Sequence, residues 1–359
     1  MPNSFAPSAD LQYPWAKAEP AVGDWMVIKP GIQWVRMPLP FALNHINLWV
    51  LQDTQDQQDC WTVIDSGVHT EAIHHAWQQL WSGPMAERPL GRMLVTHMHP
   101  DHVGNARWLI EHFSAPERPA RLWMSATDFL AATLACQATT GYGGDRAATY
   151  FHSHGLHDEA SLSKIRERGG YFASMVPSVP ASYRRLQDGM SVRIGQHDWR
   201  CISGFGHCPE HIALYCEALG TLISGDMLLP KISTNVSVTD MEPEADALAQ
   251  FLDSLSRYEA LPADTLVLPS HGHPFVGIHA RVQALRDHHE DRLNDIRRAC
   301  QDQACTAAEL LPVLFTRALD LHQTTFAMGE AVAHLNHLWH RGEFKRECDA
   351  LGVWRFSPL

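Results

Sequence analysis

The sequence predicts an α/β fold in which short strands and helices alternate in two successive blocks, with a helical tail behind them. Three observations carry this expectation. Apolar, β-rich runs broken by Pro and Gly fill 27–64 and recur over 191–224, the pattern of short buried strands. Each block is followed by residues with helical apolar spacing and by one more apolar run. Beyond Gly277 the spacing is helical amid many charges. With 359 residues, 45% hydrophobic and 19% charged, the chain can bury a large core and is long for one domain but short for three.

Residues 1–24 carry Pro2, Pro7, Pro14 and Pro20 and read as an irregular lead. They show no basic start followed by an apolar run, so no secretory signal is expected. Strands follow at Val27-Ile28, Ile32 to Val35, Ile46 to Leu51 and Trp61 to Ile64, the last ending in Asp65-Ser66-Gly67. A helix from Thr70 to Trp81 would bury Ala72, Ile73, Ala76, Trp77 and Leu80. Met93-Leu94-Val95 reads as a buried strand, followed by a helix near 104–113, a strand at Arg121 to Met124, and a helix capped by Ser125. Residues 137–182, containing Gly141, Tyr142, Gly143 and Gly144 and then His152, His154 and His157, are read as a helical lid that sets substrate choice. The three histidines fit no standard ligand spacing. Strands at 191–194, 199–203, 212–215 and 221–224, a helix at 243–258 and a strand at 265–268 complete the second block. The tail holds three helical stretches and a β-like end at Val353 to Phe356.

One stretch concentrates chemistry: Thr96-His97-Met98-His99-Pro100-Asp101-His102-Val103-Gly104-Asn105. In extended chain alternate side chains point the same way, so His97 and His99 can face one point while Met98 turns inward. Pro100 interrupts the strand, and Asp101 and His102 lie where a helix begins. That geometry suits two metals side by side. Imidazole and carboxylate are ligands for zinc, iron or manganese, and the lack of cysteine here argues against a closed structural zinc site. The eight cysteines form no CxxC pair, which fits free thiols in a reducing cytoplasm. No stretch approaches the ~20 apolar residues of a membrane helix.

His97-x-His99-x-Asp101-His102 resembles the signature of the metallo-β-lactamase-fold hydrolases, a superfamily that includes glyoxalase II, lactonases and nucleases. The resemblance implies an αββα sandwich of two mixed sheets over 25–280, with 137–182 inserted. It also implies a small helical, winged-helix-like domain over 281–359 that packs on the core or forms a homodimer. Gly204 to His211 resembles the family's glycine-His-x-x-x-His turn, so His207 would complete the first metal site, with His211 behind it. Ser224-Gly225-Asp226 matches the position of the bridging carboxylate. Leu268 to His273 matches a Pro-Ser-His-Gly pattern, making His271 the ligand, or His273 if the register is off by two. Metal one would then hold His97, His99 and His207, and metal two Asp101, His102 and His271, with Asp226 between. Asp65 would brace the metal loop, and Cys208 is read as incidental.

Two divalent ions, zinc first and iron or manganese as alternatives, lower the pKa of bound water to about 7. The resulting hydroxide would attack a carbonyl carbon, with Asp101 or a water on metal two managing the proton, which makes a thioester, lactone or other ester the expected substrate. The context is most similar to glyoxalase II and related thioesterases, although no glutathione-binding basic residues stand out. The alternatives are a metal-dependent phosphodiesterase or nuclease, and a di-iron oxidoreductase. Because the chain carries a net charge of −12 and no basic track, the expected partner is a small acyl molecule, with no nucleic acid and no membrane.

Overall fold

A computed structural model of the chain describes residues 10–359 apart from positions 42, 140, 142 and 317. Positions 1–9 of the lead, and Thr140 and Tyr142 in the glycine-containing stretch of the expected lid, lie outside the described residues.

The first sheet takes its strands in chain order: β1 (Trp25–Lys29), β2 (Ile32–Pro38), β3 (His45–Gln55), β4 (Gln58–Ile64), β5 (Leu90–Leu94), β6 (Arg121–Met124) and β7 (Tyr183–Arg185). β1 to β4 pair antiparallel, and β4 to β7 pair parallel. Parallel neighbours need crossovers. Helix α1 (Glu71–Ser82) supplies the first, α2 (Pro100–Val103) and α3 (Ala106–Phe113) the second, and four helices from 126 to 175 the third. The second sheet has β8 (Ser191–Ile194), β9 (His197–Gly204), β10 (His211–Cys216), β11 (Thr221–Gly225) and β12 (Leu266–Pro269), with β12 at the edge beside β11.

Why these strands read as unbroken apolar runs is plain from the layers, since both faces of each sheet are covered. Between the sheets, Trp34, Trp49, Ile64 and Leu94 meet Trp199, Leu214, Ile223 and Leu268. The neighbours of these residues turn outward. Val63 and Met93 pack under Ile73 and Trp77 of α1 and Leu109 of α3, and Leu222 and Val267 pack under the helices on the other side. The architecture is the expected αββα sandwich with two mixed sheets.

Helix α4 (Ala126–Gln137) begins at Ser125, whose hydroxyl accepts the Asp128 N–H. The stretch read as a lid is helical as expected, with α5 (Gly144–Ser153), α6 (Glu159–Glu167) and α7 (Tyr171–Met175). α8 (Ala247–Glu259) starts four residues later than the sequence pattern indicates, because Asp246 accepts the Ala249 N–H as its cap. The tail forms α9 (Ile278–Ala299), α10 (Ala307–Leu314), α11 (Leu321–His340) and a hairpin of β13 (Phe344–Cys348) and β14 (Trp354–Pro358). β13 escapes sequence reading because only Phe344 of Phe-Lys-Arg-Glu-Cys is buried. Ala72 lies exposed at the margin of the α1 stripe. Val282, Leu285, Leu293 and Ile296 of α9 and Leu335 of α11 share one core with the second sheet, α5 and α6. α11 also meets the segment after β11: the Val238 N–H donates to the Gly329 carbonyl at 3.1 Å, and a Cβ at 329 would stand 2.8 Å from the Ser237 side chain. No described helix is long and apolar enough to cross a membrane, and all eight cysteines are free thiols.

Candidate metal centre

The chemistry-bearing side chains sit on loops at the ends of strands from both sheets. Immediately after β4, Asp65 adopts a left-handed backbone with φ 61°. From there its carboxylate accepts the Thr96 N–H at 2.8 Å and the His102 Nδ1–H at 2.8 Å. One carboxylate thus fixes both the strand exit and the ring of His102. Pro100 opens α2 without needing an N–H partner, and its turn brings Asp101 and His102 round towards His97 and His99. Gly104 closes the turn where a Cβ would meet three carbonyl oxygens within 2.9 Å.

The remaining side chains arrive from the second sheet. His207 follows β9, and its Nδ1–H donates to the Asn235 carbonyl at 2.7 Å. Asp226 follows β11, and its N–H donates to His211 Nε2 at 3.2 Å. Gly225 before it has φ 53°, and any Cβ there would lie 2.1 Å from that same His211 nitrogen. His271 follows β12 and donates from Nδ1 to the His45 carbonyl at 2.7 Å. With His102, His207 and His271 each oriented through Nδ1, their Nε2 atoms face inward, as metal-binding histidines do.

The side chains converge in two groups, His97, His99, His207 and Asp226 in one and Asp101, His102 and His271 in the other. Within each group the potential ligand atoms lie within 4.8 Å of one another. His97 Nε2 is 2.9 Å from His99 Nδ1 and 3.2 Å from His207 Nε2. Asp226 spans the two groups: Oδ2 is 3.5 Å from His207, while Oδ1 is 3.4 Å from His271 and 3.6 Å from His102. Asp101 stands 3.4 Å from His271 and 3.7 Å from His102.

Electrostatics differ between the groups. Burial, reinforced by the neighbouring imidazoles, holds His97 well below the usual histidine range and lowers His99 to about 3. Burial opposes the charged form of His102 as well, but Asp101, Asp65 and Asp226 outweigh it and raise His102 well above its ordinary value. Asp226 and Asp101 likewise overcome burial at His271 and raise it to about 10. Neutral imidazoles with converging lone pairs lie beside carboxylates that attract positive charge. Among the described residues no hydrogen bond reaches the buried His102 Nε2 and Asp226 Oδ1, whose 3.6 Å separation is too long for a direct bond and leaves contacts that a cation between them would complete. Nitrogen and carboxylate donors of this kind fit zinc, iron or manganese.

All seven residues read as metal ligands from the sequence come together here, with Asp65 and His211 behind them. His273 does not join: it lies 3.0 Å from Glu19 with its ring edge-on to Trp34. His152, His154 and His157 belong to neither group, and His154 is spent on the Tyr150 carbonyl. Burial and the adjoining Asp128 push the Cys208 thiol well above its ordinary pKa, which keeps it a poor nucleophile.

Four supporting residues are not apparent from the sequence. Asp128 accepts the Met98 and Glu210 N–H groups, tying one metal loop to the other. A carboxylate on the buried face of α4, beside Phe129 and Ala132, is the signal that exposes it. His45 and Asn235 act through backbone carbonyls, which sequence cannot reveal. Arg281, fully buried on α9, donates to the Leu229 and Ile232 carbonyls just beyond Asp226.

Comparison with known proteins decides the family. The model of the metallo-beta-lactamase superfamily matches residues 43–271. The chain belongs to this superfamily. A second family model, the metallo-beta-lactamase-like C-terminal domain, matches residues 293–359. The superfamily member is 25% identical over 309 residues to "Probable metallo-hydrolase YqjP" of Bacillus subtilis, covering 85% of this chain and 91% of that one. It is 31% identical over 188 residues to the hydroxyacylglutathione hydrolase of Roseobacter denitrificans, covering 52% of this chain and 69% of that protein. The crystal structure of a beta-lactamase domain protein from Burkholderia ambifaria superposes with a TM-score of 0.93 at 48% identity, covering 99% of this chain and 100% of the other.

Proposed function

We propose that this metallo-hydrolase cleaves a carboxylic thioester, lactone or ester of a small acyl molecule at a dinuclear metal centre. The observation that carries the reading is the convergence of seven potential ligand side chains in two adjoining groups, three of their imidazoles aimed inward through Nδ1. His97, His99 and His207 would hold one ion, Asp101, His102 and His271 the other, and Asp226 both. Divalent cations bound there, zinc first among them, supply Lewis acidity and acidify water enough to make it a nucleophile at neutral pH.

The chain's own residues do the rest. Asp65, Asn235 and His45 aim the imidazoles, so little reorganisation is needed when substrate arrives. Asp101 lines the cavity beside the centre, and in this reading it takes up and returns a proton. The 31% identity to a hydroxyacylglutathione hydrolase supports carbonyl chemistry, and the net charge of −12 argues against a polynucleotide partner.

The test is elemental analysis of protein purified without chelator, followed by hydrolysis assays on acyl-thioesters, lactones and bis-p-nitrophenyl phosphate. About two metals per chain and chelator-sensitive turnover of an acyl substrate are expected. Turnover of the phosphodiester with none of the acyl panel would overturn the reading.

A further inference from the structure

A cavity of about 1530 Å³ opens from the metal centre, larger than the ~300–1,000 Å³ of an ordinary small-molecule site. Its walls include the β2–β3 connection, the α4–α7 stretch, the segment after β11, and α11 with the residues before it. An aromatic roof joins the β2–β3 connection, α7 and α11. The Phe41 ring stacks on His322 with centroids 5.6 Å apart, Phe326 meets His322 edge-on at 4.8 Å, and Tyr171 lies 5.8 Å from it.

The charges along this cavity are as informative as its size. Among the described lining residues the cationic side chains, histidines aside, are Arg168 and Arg292. Arg168 lies over the Tyr171 ring and contacts His322 through one nitrogen, with no carboxylate partner among the described residues and Nη1 unbonded, while Arg292 is paired with Asp295 at 2.7 Å. Glu242, Asp320 and Glu330 also line the space. A highly anionic carrier, such as a nucleotide or a peptide thiol with free carboxylates, meets these three acidic side chains and a single guanidinium, that of Arg168, without an acid partner. An apolar chain finds Leu134, Met175, Val238 and Phe326.

We infer that the cavity is an acyl-chain site, so that the preferred substrates carry medium to long hydrocarbon acyl groups. This rests on the carbonyl-hydrolase reading above and deepens it. In a thioester the charged part is the thiol carrier, so the apolar space beside the centre receives the acyl part. Hydrolysis then breaks the acyl carbon–sulfur bond, water supplies the new oxygen, and the products are the fatty carboxylate, a proton and the thiol left at the cavity mouth.

Two measurements test this. In the first, kcat/KM is compared for N-acetylcysteamine thioesters from butanoyl to decanoyl. Each buried methylene is worth up to about fourfold, so the decanoyl ester should exceed the butanoyl by ~10-fold or more. Phe326→Arg should bring that ratio down towards unity. In the second, 1-decanol, which carries no carboxylate for a metal, is titrated against protein bearing 1-anilinonaphthalene-8-sulfonate. Saturable loss of the dye signal is expected, and it is weakened by Phe326→Arg.

A flat or falling chain-length series together with no displacement by decanol would overturn the acyl-chain site while leaving the hydrolase reading intact. Saturable decanol binding with no turnover of any acyl substrate would do the reverse, retaining an apolar-chain site and removing the hydrolase reading. Fast turnover confined to short acyl groups on a charged peptide thiol would place the carrier, not the acyl chain, in the cavity.

Discussion

Two buried histidine clusters in this molecule look alike in composition and differ in what their nitrogens do. In the metal centre, His97, His99 and His207 turn nitrogens towards one another at 2.9 and 3.2 Å, and His102 leaves Nε2 without a partner. Between α9 and α11, His289 Nδ1 contacts His334 Nε2 at 3.1 Å, His334 Nδ1–H donates to the Glu330 carbonyl, and His337 reaches Asp246 at 2.9 Å. The second cluster strings its rings along the helices with no common point, and His289 Nε2 too is buried without a hydrogen-bond partner among the described residues, so an orphaned nitrogen alone does not mark a metal centre. Convergence with carboxylates at hand, rather than the number of histidines, separates a candidate metal centre from a polar core.

The sharpest way to break this comparison is to remove one member of each cluster. His97→Ala should abolish turnover and lower bound metal from two ions per chain, since a lost ligand leaves the first group under-coordinated. His334→Leu should keep both metals and instead cost about 1–3 kcal/mol of stability, because His289 loses a buried partner. Elemental analysis and urea unfolding of the two variants distinguish these outcomes. Metal loss from His334→Leu would erase the distinction.

His271→Ala against His273→Ala is the next test. The first should lower activity by orders of magnitude with loss of metal. The second should leave metal content unchanged and disturb only the contacts with Glu19 and Trp34. Equal losses would mean that the register of the β12 loop differs from the one described.

Asp128 provides a smaller effect. Asp128→Asn keeps the shape but exchanges an acceptor of two N–H groups for an amide, so it should weaken metal retention against a competing chelator by about 10–100-fold, as loss of a supporting contact does. Unchanged retention would show that the bracket between residues 98 and 210 is dispensable.

The smallest expected effect concerns pH and the helical cluster. Burial is the main reason that Glu330 stands at about 7, above the carboxylate value of 4.5, with Asn235 and Arg292 opposing it. The folded protein therefore keeps this proton up to pH near 7, whereas the unfolded chain releases it near 4.5. Stability from this group falls as pH rises between those values, by about 1–3 kcal/mol. Glu330→Gln should flatten that part of the profile, measured as the difference between wild type and variant in unfolding free energy at pH 5 and pH 7.5.

What the sequence discloses follows from how local each feature is. His97 to His102 are legible because one strand exit and one turn bring them together. The sandwich is legible because covered sheets leave continuous apolar runs such as Trp61 to Ile64. His207, Asp226 and His271 are reached only through resemblance, since their convergence depends on the pairing of two sheets. The supports are hidden for a further reason. The carbonyl that orients His271 belongs to His45, 226 residues away, and a backbone carbonyl has no residue identity. β13 and β7 are unreadable because edge strands with one or no buried residues carry no apolar pattern.

The close approach of Gly329 to Ser237 has a consequence for recombination between relatives. Residues 293–359 match a family model of their own and invite exchange as a cassette. Yet the segment that orients His207 through Asn235 is sewn to α11 by the Val238–Gly329 hydrogen bond and by the contact of Asn235 with Glu330. A chimera that swaps the tail alone would place a foreign helix against a native loop, and any side chain larger than hydrogen at 329 would press on Ser237 and Val238. The unit that can be inherited or transplanted intact is therefore discontinuous, comprising the tail together with the loop after β11.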